Sequence, residues 1–334
     1  MIVTAPSQLA GRAGRAGRAG DPAAGPTTHM YRPLTVAEVV DALADGDGEL
    51  LAGGTDLVPA LRARRRDPAR IVALRRVLEL RSRGASANLL IIGAGVTYHD
   101  LTGWSLSPGL AATARVVGSP QIRNTGTVGG ALGTANPRGD LLTFLSAADA
   151  EVVIHSVQGV RTVDVPSFLA TGLDPTELVT AVRLPRPCGP QVYVKIGSRQ
   201  AASTALVSCA LVVDRVHERV NCAIGGVAGR PTRPRAAEEF VRQGIDWAAG
   251  TIAADVAAGF GELVAQAAAV VPDPLPDEVG GSAAYRRHAA GVLAARAVAR
   301  CLSAAAPAPA VALDAPPDAP PGAAGSEAGG WGRK

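Results

Sequence analysis

The sequence has little of what metal centres and membrane proteins need. Its four cysteines, Cys188, Cys209, Cys222 and Cys301, are widely spaced and form no C-x-x-C pair. Local spacing therefore builds neither a zinc site nor a cysteine-ligated iron–sulfur cluster, and any such centre must lie on another chain. No apolar run reaches membrane-spanning length, and no apolar signal core is seen near the N-terminus. These absences predict a cytoplasmic protein without metal ligands of its own.

Aromatic residues are also scarce, at 3% of the 334 residues, and arginine greatly outnumbers lysine in a chain of net charge +4. The densest basic cluster is Arg62, Arg64, Arg65, Arg66 and Arg70, and no aromatic residue is interleaved with it. This pattern argues against a nucleic-acid partner. The hydrophobic share of 47% is that of a globular protein with a sizeable core, and the length suffices for two domains.

Both ends of the sequence are poor in large apolar side chains. Residues 1–28 include three Arg-Ala-Gly triplets, and residues 304–334 are mainly alanine, proline and glycine. We predict disordered tails at both ends. The Arg-rich start can mimic a transit peptide, but a glycine at every third position disfavours the amphipathic helix of such peptides. Met30 is an alternative translation start.

Between the tails, the patterns predict two units of mixed helix and strand. Thr35 and Glu38 form a capping box that opens a helix over 35–45. Alternating or buried apolar runs predict strands in ELLAGG, ARIVAL, NLLIIGAG, AEVVIHS, VRTVDV, TELVTAVRLP, QVYVKIGSR and NCAIGGVAG. Helices are predicted around 109–117, in LLTFLSAAD and AAEEFVRQ, and at about 248–270 and 282–303, whereas TALVSCALVVD is helix-like with a partial-strand alternative. Pro185 and Pro187 place a domain boundary near 187, between domains at 30–187 and 190–303.

Two glycine-rich segments are candidates for ligand binding. Gly53 and Gly54 follow a predicted strand, and GSPQIRNTGTVGGALGTANPRGD, residues 118–140, is predicted as a loop. Glycine permits positive φ and lets a ligand approach bare amides, which together suit a pyrophosphate; the alternative is a pair of tight turns. Neither segment has the spacing of a Rossmann fingerprint or the lysine of a Walker loop, so both of those folds are excluded.

Other polar residues have weaker interpretations. Arg123 either binds phosphate or, with Gln121 and Asn124, satisfies the carbonyls of its own loop. His99 is expected at a surface turn, and the pair Glu238 and Glu239 on a solvated helix face. No Ser-His-Asp or metal-ligand constellation is present, so no catalytic residue is predicted.

In order along the chain, several segments resemble the FAD-binding medium subunit of the xanthine dehydrogenase and carbon monoxide dehydrogenase group of molybdenum hydroxylases. They are LAGGTDLVPALR, IIGAGVTYHDL, SPQIRNTGTVGGALGTANPRGDLLTFLSAADAEVVI, YVKIGSRQAASTALVSCALVV and GSAAYRRHAAGVLAARAV. The resemblance covers about residues 30–303. It implies an α+β fold in which a two-subdomain FAD-binding domain of the PCMH type precedes a small α+β C-terminal domain.

The resemblance also implies a cofactor site. The segment 52–56 and the segment 127–131 would hold the FAD diphosphate, through Ala52, Gly53, Gly54, Thr55, Asp56, Thr127, Val128, Gly129, Gly130 and Ala131. Asp140 matches an aspartate that contacts the FAD hydroxyl region, and Val179 and Lys195 fall at positions that approach the flavin ring. The family often has asparagine at the position of Ala131, and Ser203 lies near the place where some members shield the flavin with an aromatic side chain.

The function that the resemblance implies is electron relay. Substrate would be hydroxylated at a molybdopterin cofactor in a large partner subunit, and electrons would pass through [2Fe–2S] clusters in a small partner subunit. FAD on this chain would deliver them to NAD or another acceptor, within a heterotrimer or its dimer. The alternatives are a non-redox assembly scaffold that keeps the FAD fold, and a stand-alone flavin oxidoreductase. Loss of the segment glycines would favour the scaffold, and a substrate-binding polar cluster would favour the stand-alone enzyme.

Overall fold

The computed structural model describes residues 28–199, 202–271, 273–277 and 281–302. The tails predicted at 1–28 and 304–334 lie outside these ranges, except for Thr28. Within them, helices and strands build two hydrophobic cores, and the predicted α+β fold class is confirmed. Among the described residues, no helix combines the length and the apolar character needed to cross a membrane.

Three short strands form a parallel sheet at the start of the described chain, in the order β1, β3, β2. They are β1 (His29–Tyr31), β2 (Gly48–Leu51) and β3 (Arg70–Ala73). Helices α1 (Val36–Leu43) and α2 (Leu57–Arg62) lie in the connections that parallel pairing requires. Because β2 and β3 run parallel, the segments that follow them lie at the same edge of the sheet.

Helix α1 begins where the capping pattern predicts. The Glu38 amide donates to Thr35 Oγ1 at 3.2 Å, so the N-cap is Thr35. The Glu38 carboxylate accepts a hydrogen bond from the Leu34 amide at 2.7 Å, so this second contact closes one residue earlier than a standard capping box does.

A five-stranded antiparallel sheet completes the first unit. Its order is β4, β5, β8, β6, β7. The strands are β4 (Arg83–Ala85), β5 (Leu89–Gly93), β6 (Glu151–Ser156), β7 (Gly159–Asp164) and β8 (Leu178–Pro185). The predicted hairpin is confirmed, since β6 and β7 pair directly. Inward-facing aliphatic residues of these strands form the first core.

Six short helices connect and cover this sheet. They are α3 (Tyr98–Leu101), α4 (Pro108–Val116), α5 (Pro120–Thr125), α6 (Val128–Thr134), α7 (Asp140–Ala147) and α8 (Val165–Thr171). The prediction of a loop over 118–140 is therefore wrong, because this stretch contains α5 and α6. Ser119 caps α5 and Thr127 caps α6 through side-chain oxygens, and tertiary packing overrides the poor helix propensity of glycine.

The second unit is an antiparallel sheet covered by helices. Strands β9 (Gln191–Gly197), β10 (Ala205–Asp214) and β11 (Arg219–Gly225) pair in the order β11, β10, β9, and β12 (Ile245–Asp246) pairs with β13 (Thr251–Ile252). The helices are α9 (Arg235–Gln243), α10 (Ala254–Ala269) and α11 (Ala283–Cys301). The helix-like interpretation of TALVSCALVVD is wrong, because this run is the central strand β10. A strand buried on both faces loses the alternation that distinguishes it from a buried helix.

Helix α7 joins the two units. It packs in the first core through Phe144, and its other side faces β10 and β11. Thr143 Oγ1 lies 3.1 Å from Ser208 Oγ of β10, and Tyr193 and Ala210 of the second sheet also belong to the first core. The start of α7 therefore lies at the junction of the units, where the candidate site is found.

Candidate functional site

A cleft of about 410 Å³ opens where the two units meet. The first unit lines it with Thr55 and Asp56, with residues of α3, α5 and α6, and with the start of α7. The second unit contributes residues that follow β9, among them Arg199, Ala202 and Ser203. Four of the predicted site residues line the cleft directly: Thr55, Asp56, Ala131 and Asp140.

The segment 52–56 turns sharply between β2 and α2. Gly54 has φ +72, a conformation that favours glycine, and a methyl group on Gly53 would overlap the carbonyl oxygen of Thr125. The amides of residues 53–56 donate no hydrogen bond to any other described residue. The Thr55 hydroxyl donates to the Asp56 carboxylate at 2.9 Å. This segment therefore has bare amides, and two of its residues, Thr55 and Asp56, line the cleft.

The segment 127–131 faces the first one but uses its amides differently. The Val128 amide donates to the Val96 carbonyl at 3.0 Å, and the Gly129 amide donates to the Ala94 carbonyl at 2.8 Å. The Gly130 amide donates to Thr127 Oγ1 at 3.0 Å. The Ala131 amide donates to the Thr127 carbonyl at 3.0 Å. The expectation that this second segment also exposes bare amides is therefore wrong for these four, because they are engaged within α6 or with the turn that follows β5.

Glycine at the second segment serves close packing. A methyl group on Gly129 would lie 2.7 Å from Ala94 Cβ, so only glycine lets α6 approach the turn that follows β5. A methyl group on Gly130 would lie 3.9 Å from Ala52 Cβ, which places the two segments face to face. Neither Gly129 nor Gly130 has positive φ. The two segments thus form a narrow cradle with unpaired donors on the side of residues 53–56.

A buried polar cluster lies at the floor of the cleft, at the start of α7. Asp140 Oδ1 accepts from the Tyr193 hydroxyl at 2.5 Å, and Asp140 Oδ2 accepts from Lys195 Nζ at 2.8 Å. Lys195 Nζ also donates to the carbonyls of Val116 at 2.9 Å and Ser203 at 3.0 Å. Lys195 therefore ties β9 of the second unit to α4 and α7 of the first.

The electrostatics of this cluster follow from its burial. Burial raises the pKa of Asp140, against the opposing effects of Lys195 and of the Tyr193 hydrogen bond. Burial also raises the pKa of Tyr193 well above its ordinary value, and the nearby Asp140 adds to this. The Tyr193 phenol is therefore protonated at neutral pH, and it donates to Asp140.

Tyr98, at the start of α3, is a cleft residue that sequence reasoning missed. Its ring lies against Gly126, where a methyl group would approach Tyr98 Cε2 to 2.7 Å. Burial raises the pKa of Tyr98, and the carboxylates of Asp56 and Asp140 add to the rise. A tyrosine just after the capping residue Thr97 carries no signal of ligand binding in the sequence, so only the fold reveals its position.

The remaining predicted residues lie elsewhere. Val179 is buried in β8 as part of the first core and is not among the residues that line the cleft. Arg123 Nη1 donates to the carbonyls of Val117 and Gly118, at 3.0 and 2.8 Å, which favours the loop-satisfying alternative. His99 is exposed on α3, in line with the expected surface position.

The prediction that Glu238 is solvated is wrong. Glu238 is buried, and its carboxylate accepts from the Cys222 amide at 2.7 Å and from Arg233 Nε at 2.8 Å. A helix face that is polar in sequence is here covered by β11. Among the described residues, no group of three or more His, Cys, Asp or Glu side chains is placed to hold a metal ion.

Two family models match this chain. Residues 26–187 match the FAD binding domain in molybdopterin dehydrogenase, and residues 192–301 match the CO dehydrogenase flavoprotein C-terminal domain. The matched regions correspond in order to the two units described above.

Individual proteins support the same match. The 6-hydroxypseudooxynicotine dehydrogenase complex subunit alpha of Paenarthrobacter nicotinovorans is 32% identical over 82% of this chain and 94% of its own length. The carbon monoxide dehydrogenase medium chain of Hydrogenophaga pseudoflava is 30% identical over 83% of this chain and 99% of its own. A chain from the crystal structure of a cyanide-inactivated Cu,Mo-CO dehydrogenase superimposes with a TM-score of 0.73 at 26% identity, over 84% of this chain and 100% of that one.

Proposed function

The chain belongs to the FAD-binding medium subunits of the molybdenum hydroxylases, and from this we propose that it relays electrons from iron–sulfur clusters of a partner subunit to an acceptor. It is a subunit of an FAD-dependent oxidoreductase. When bound, FAD supplies a carrier that accepts electrons and releases them to a second partner. The protein's part is to bind, orient and shield this cofactor.

The observation that carries the proposal is the cradle between the two segments. Residues 53–56 offer amides without partners inside the described chain, and the absence of a side chain at Gly53 and Gly130 lets the surrounding backbone pack closely. Rows of free amides next to glycine suit the oxygens of a diphosphate. The donor set therefore fits FAD, and we assign the diphosphate to residues 52–56 and 127–131.

The buried polar cluster of Asp140, Tyr193 and Lys195 supports a second part of the FAD site. Asp140 lines the cleft with its carboxylate held in place by Lys195 and Tyr193, so its orientation is fixed before any ligand binds. A preorganised carboxylate suits the hydroxyl groups of the cofactor's ribityl chain. Lys195 is 14% exposed and is committed to three acceptors, so we assign it the role of orienting Asp140. The resemblance predicts that Val179 approaches the flavin ring; since it is buried in the first core and does not line the cleft, we assign it no contact with the cofactor.

The partners follow from family membership. We propose a heterotrimer or its dimer, in which a small subunit carries [2Fe–2S] clusters and a large subunit carries molybdopterin. The relatives are named for different substrates, from carbon monoxide to 6-hydroxypseudooxynicotine. We therefore propose that the substrate is set by the large subunit and not by this chain. We propose NAD or another diffusing acceptor for the electrons, as in a xanthine dehydrogenase type of reaction, and a cytoplasmic location.

Rapid mixing of the purified complex with its substrate tests the relay. Gly53→Val should prevent FAD binding. Its side chain would overlap the Thr125 carbonyl, so the first segment would have to move. Substrate should then still bleach the iron–sulfur absorption at the normal rate, while reduction of the acceptor stops. The control is Gly84→Val, since a side chain at Gly84 meets no atom within 4 Å. An FAD-free complex that reduces its acceptor at the normal rate would show that the relay proposal is wrong.

A further inference from the structure

One polar group in the cleft has no role in the assignment above. Tyr98 lines the cleft, yet within the part of the chain that the structure describes its hydroxyl forms no hydrogen bond. The other tyrosine of the site differs in this respect, because the Tyr193 hydroxyl is engaged with Asp140. A phenol of a cleft residue that has no partner in the protein can donate its hydrogen bond to a ligand.

The backbone fixes Tyr98 beside the chain that leads into the second cradle segment. Its amide donates to the Gly126 carbonyl at 3.0 Å, and Thr97 forms an isolated antiparallel bridge with Thr127. The Thr97 side chain and the Asp100 carboxylate cap α3 reciprocally, with the Asp100 amide 3.2 Å from Thr97 Oγ1. The position of the Tyr98 backbone is therefore set by the segment that leads into α6.

The ring is directed by packing as well. Gly126 has no side chain, and a methyl group there would come within 2.7 Å of Tyr98 Cε2 and 3.0 Å of Cδ2. The ring therefore occupies space that any other residue at position 126 would fill. The carboxylates of Asp56 and Asp140, one from each wall of the cleft, are close enough to raise the pKa of the phenol. Tyr98, Asp56 and Asp140 accordingly line the same cleft.

The chemistry of this position defines the ligand group. With its pKa raised by burial and by two carboxylates, the phenol keeps its proton at neutral pH and acts as a hydrogen-bond donor. The phenol donates to neither carboxylate: Asp56 accepts from Thr55, and Asp140 accepts from Tyr193 and Lys195. A diphosphate held in the cradle would supply acceptor oxygens for such a donor.

We propose that the Tyr98 hydroxyl donates a hydrogen bond to the diphosphate of bound FAD, as a side-chain donor in addition to the amides of residues 53–56. This inference rests on the proposed function, because it assumes that the cradle holds the diphosphate. The contribution of Tyr98 is then independent of the flavin ring.

Titration of the full-length chain with FAD and with ADP tests this role, since ADP carries the diphosphate without a flavin. Tyr98→Phe keeps the ring against Gly126 and removes only the donor. We expect it to weaken both ligands by the same factor, about tenfold, as the loss of one hydrogen bond to a charged group predicts. The matched control is Tyr285→Phe, because Tyr285 is exposed on α11 and should leave both affinities unchanged.

The outcomes separate the two proposals. Equal affinities of Tyr98→Phe and the unaltered chain for both ligands would overturn the role of Tyr98 alone, and so would a loss confined to FAD. An unaltered chain that binds neither FAD nor ADP would overturn the proposed function and this inference together. A second measurement does not depend on how the variant folds: 3-fluorotyrosine placed at position 98 should shift its ¹⁹F resonance when ADP is added, and an unmoved resonance would contradict the contact.

Discussion

At the scale of single residues, the ion pair of Asp140 and Lys195 decides how the two units meet. Both side chains are largely buried, at 6% and 14% exposed. Taking charges out of water is costly, and it is compensated here by the short contact and by the additional hydrogen bonds from Tyr193 and to Val116. Removal of either partner therefore leaves a buried charge without compensation.

Lys195→Met should lower the free energy of unfolding by about 3–5 kcal/mol near pH 7, the usual cost of breaking a buried ion pair from one side. It should also change the pH dependence. Burial already raises the pKa of Asp140 and Lys195 opposes the rise, so without Lys195 the pKa rises further. A carboxyl whose pKa is higher folded than unfolded stabilises the fold at low pH, and this stabilisation is lost as pH rises through the folded pKa.

Thermal midpoints measured from pH 4 to pH 8 check this expectation. The midpoint of Lys195→Met should fall more steeply than that of the unaltered chain as pH rises above about 4, the pKa of an unfolded aspartate. The double variant Asp140→Asn, Lys195→Met removes the titrating group and should lose the extra slope. Parallel pH profiles for Lys195→Met and the unaltered chain would show that the pair does not couple as described.

At the scale of elements, α6 shows how two glycines of one helix serve different purposes. Gly129 faces Ala94 so closely that even a methyl group would lie within 2.7 Å of its Cβ, whereas Gly133 faces open space. Gly133→Ala should therefore raise the free energy of unfolding by about 0.5–1 kcal/mol, since alanine is the better helix former. Gly129→Ala should lower it, because α6 must move away from the turn that follows β5.

Urea denaturation of the two variants gives the comparison directly. Opposite shifts of the midpoint are expected, with the slope of each transition unchanged. The same substitution is made in the same helix, so the difference isolates the close approach of Gly129. Stabilisation by alanine at both positions would mean that α6 packs less tightly than described.

The elements also show where sequence reasoning succeeds. The helix over 35–45 and the hairpin of β6 and β7 carry complete local signals, namely a cap, a period and a turn. Strand β10 does not, because burial on both faces removes its alternation. Helix α6 is not predicted, because glycine is a poor helix former. Its helical state depends on the packing of Gly129 against Ala94, a residue far away in the sequence. The glycines of the first segment predict a ligand-binding turn there, whereas Tyr98 reaches the cleft only through the fold.

At the scale of the whole molecule, α7 and Arg233 connect the two cores. Arg233 is 6% exposed at its side chain and donates to Glu238 of α9 and to Asp149, just beyond α7. Asn221 of β11 also donates to Asp149, at 2.6 Å. A cleft built from both units keeps its shape only if these contacts hold the units together.

The two units should consequently unfold in one transition. Trp104 packs against the first core and Trp247 against the second, so fluorescence of single-tryptophan variants follows each unit separately. One variant keeps Trp104 and the other keeps Trp247, and in each variant the two remaining tryptophans, Trp331 among them, are replaced by phenylalanine. Coincident urea transitions are expected for both probes. Separate midpoints would mean that the units are independent and that the junction is too weak to organise the cleft.

The most direct test of the account is the flavin content of the full-length chain after incubation with FAD and removal of free cofactor. The unaltered chain and Gly84→Val should each retain one FAD per chain and should not retain FMN in its place, because the cradle holds a diphosphate. Gly53→Val should retain none, since its side chain would overlap the Thr125 carbonyl and close the space beside the free amides. Full retention of FAD by Gly53→Val with an unchanged visible spectrum would contradict the assignment of the cradle as the cofactor site.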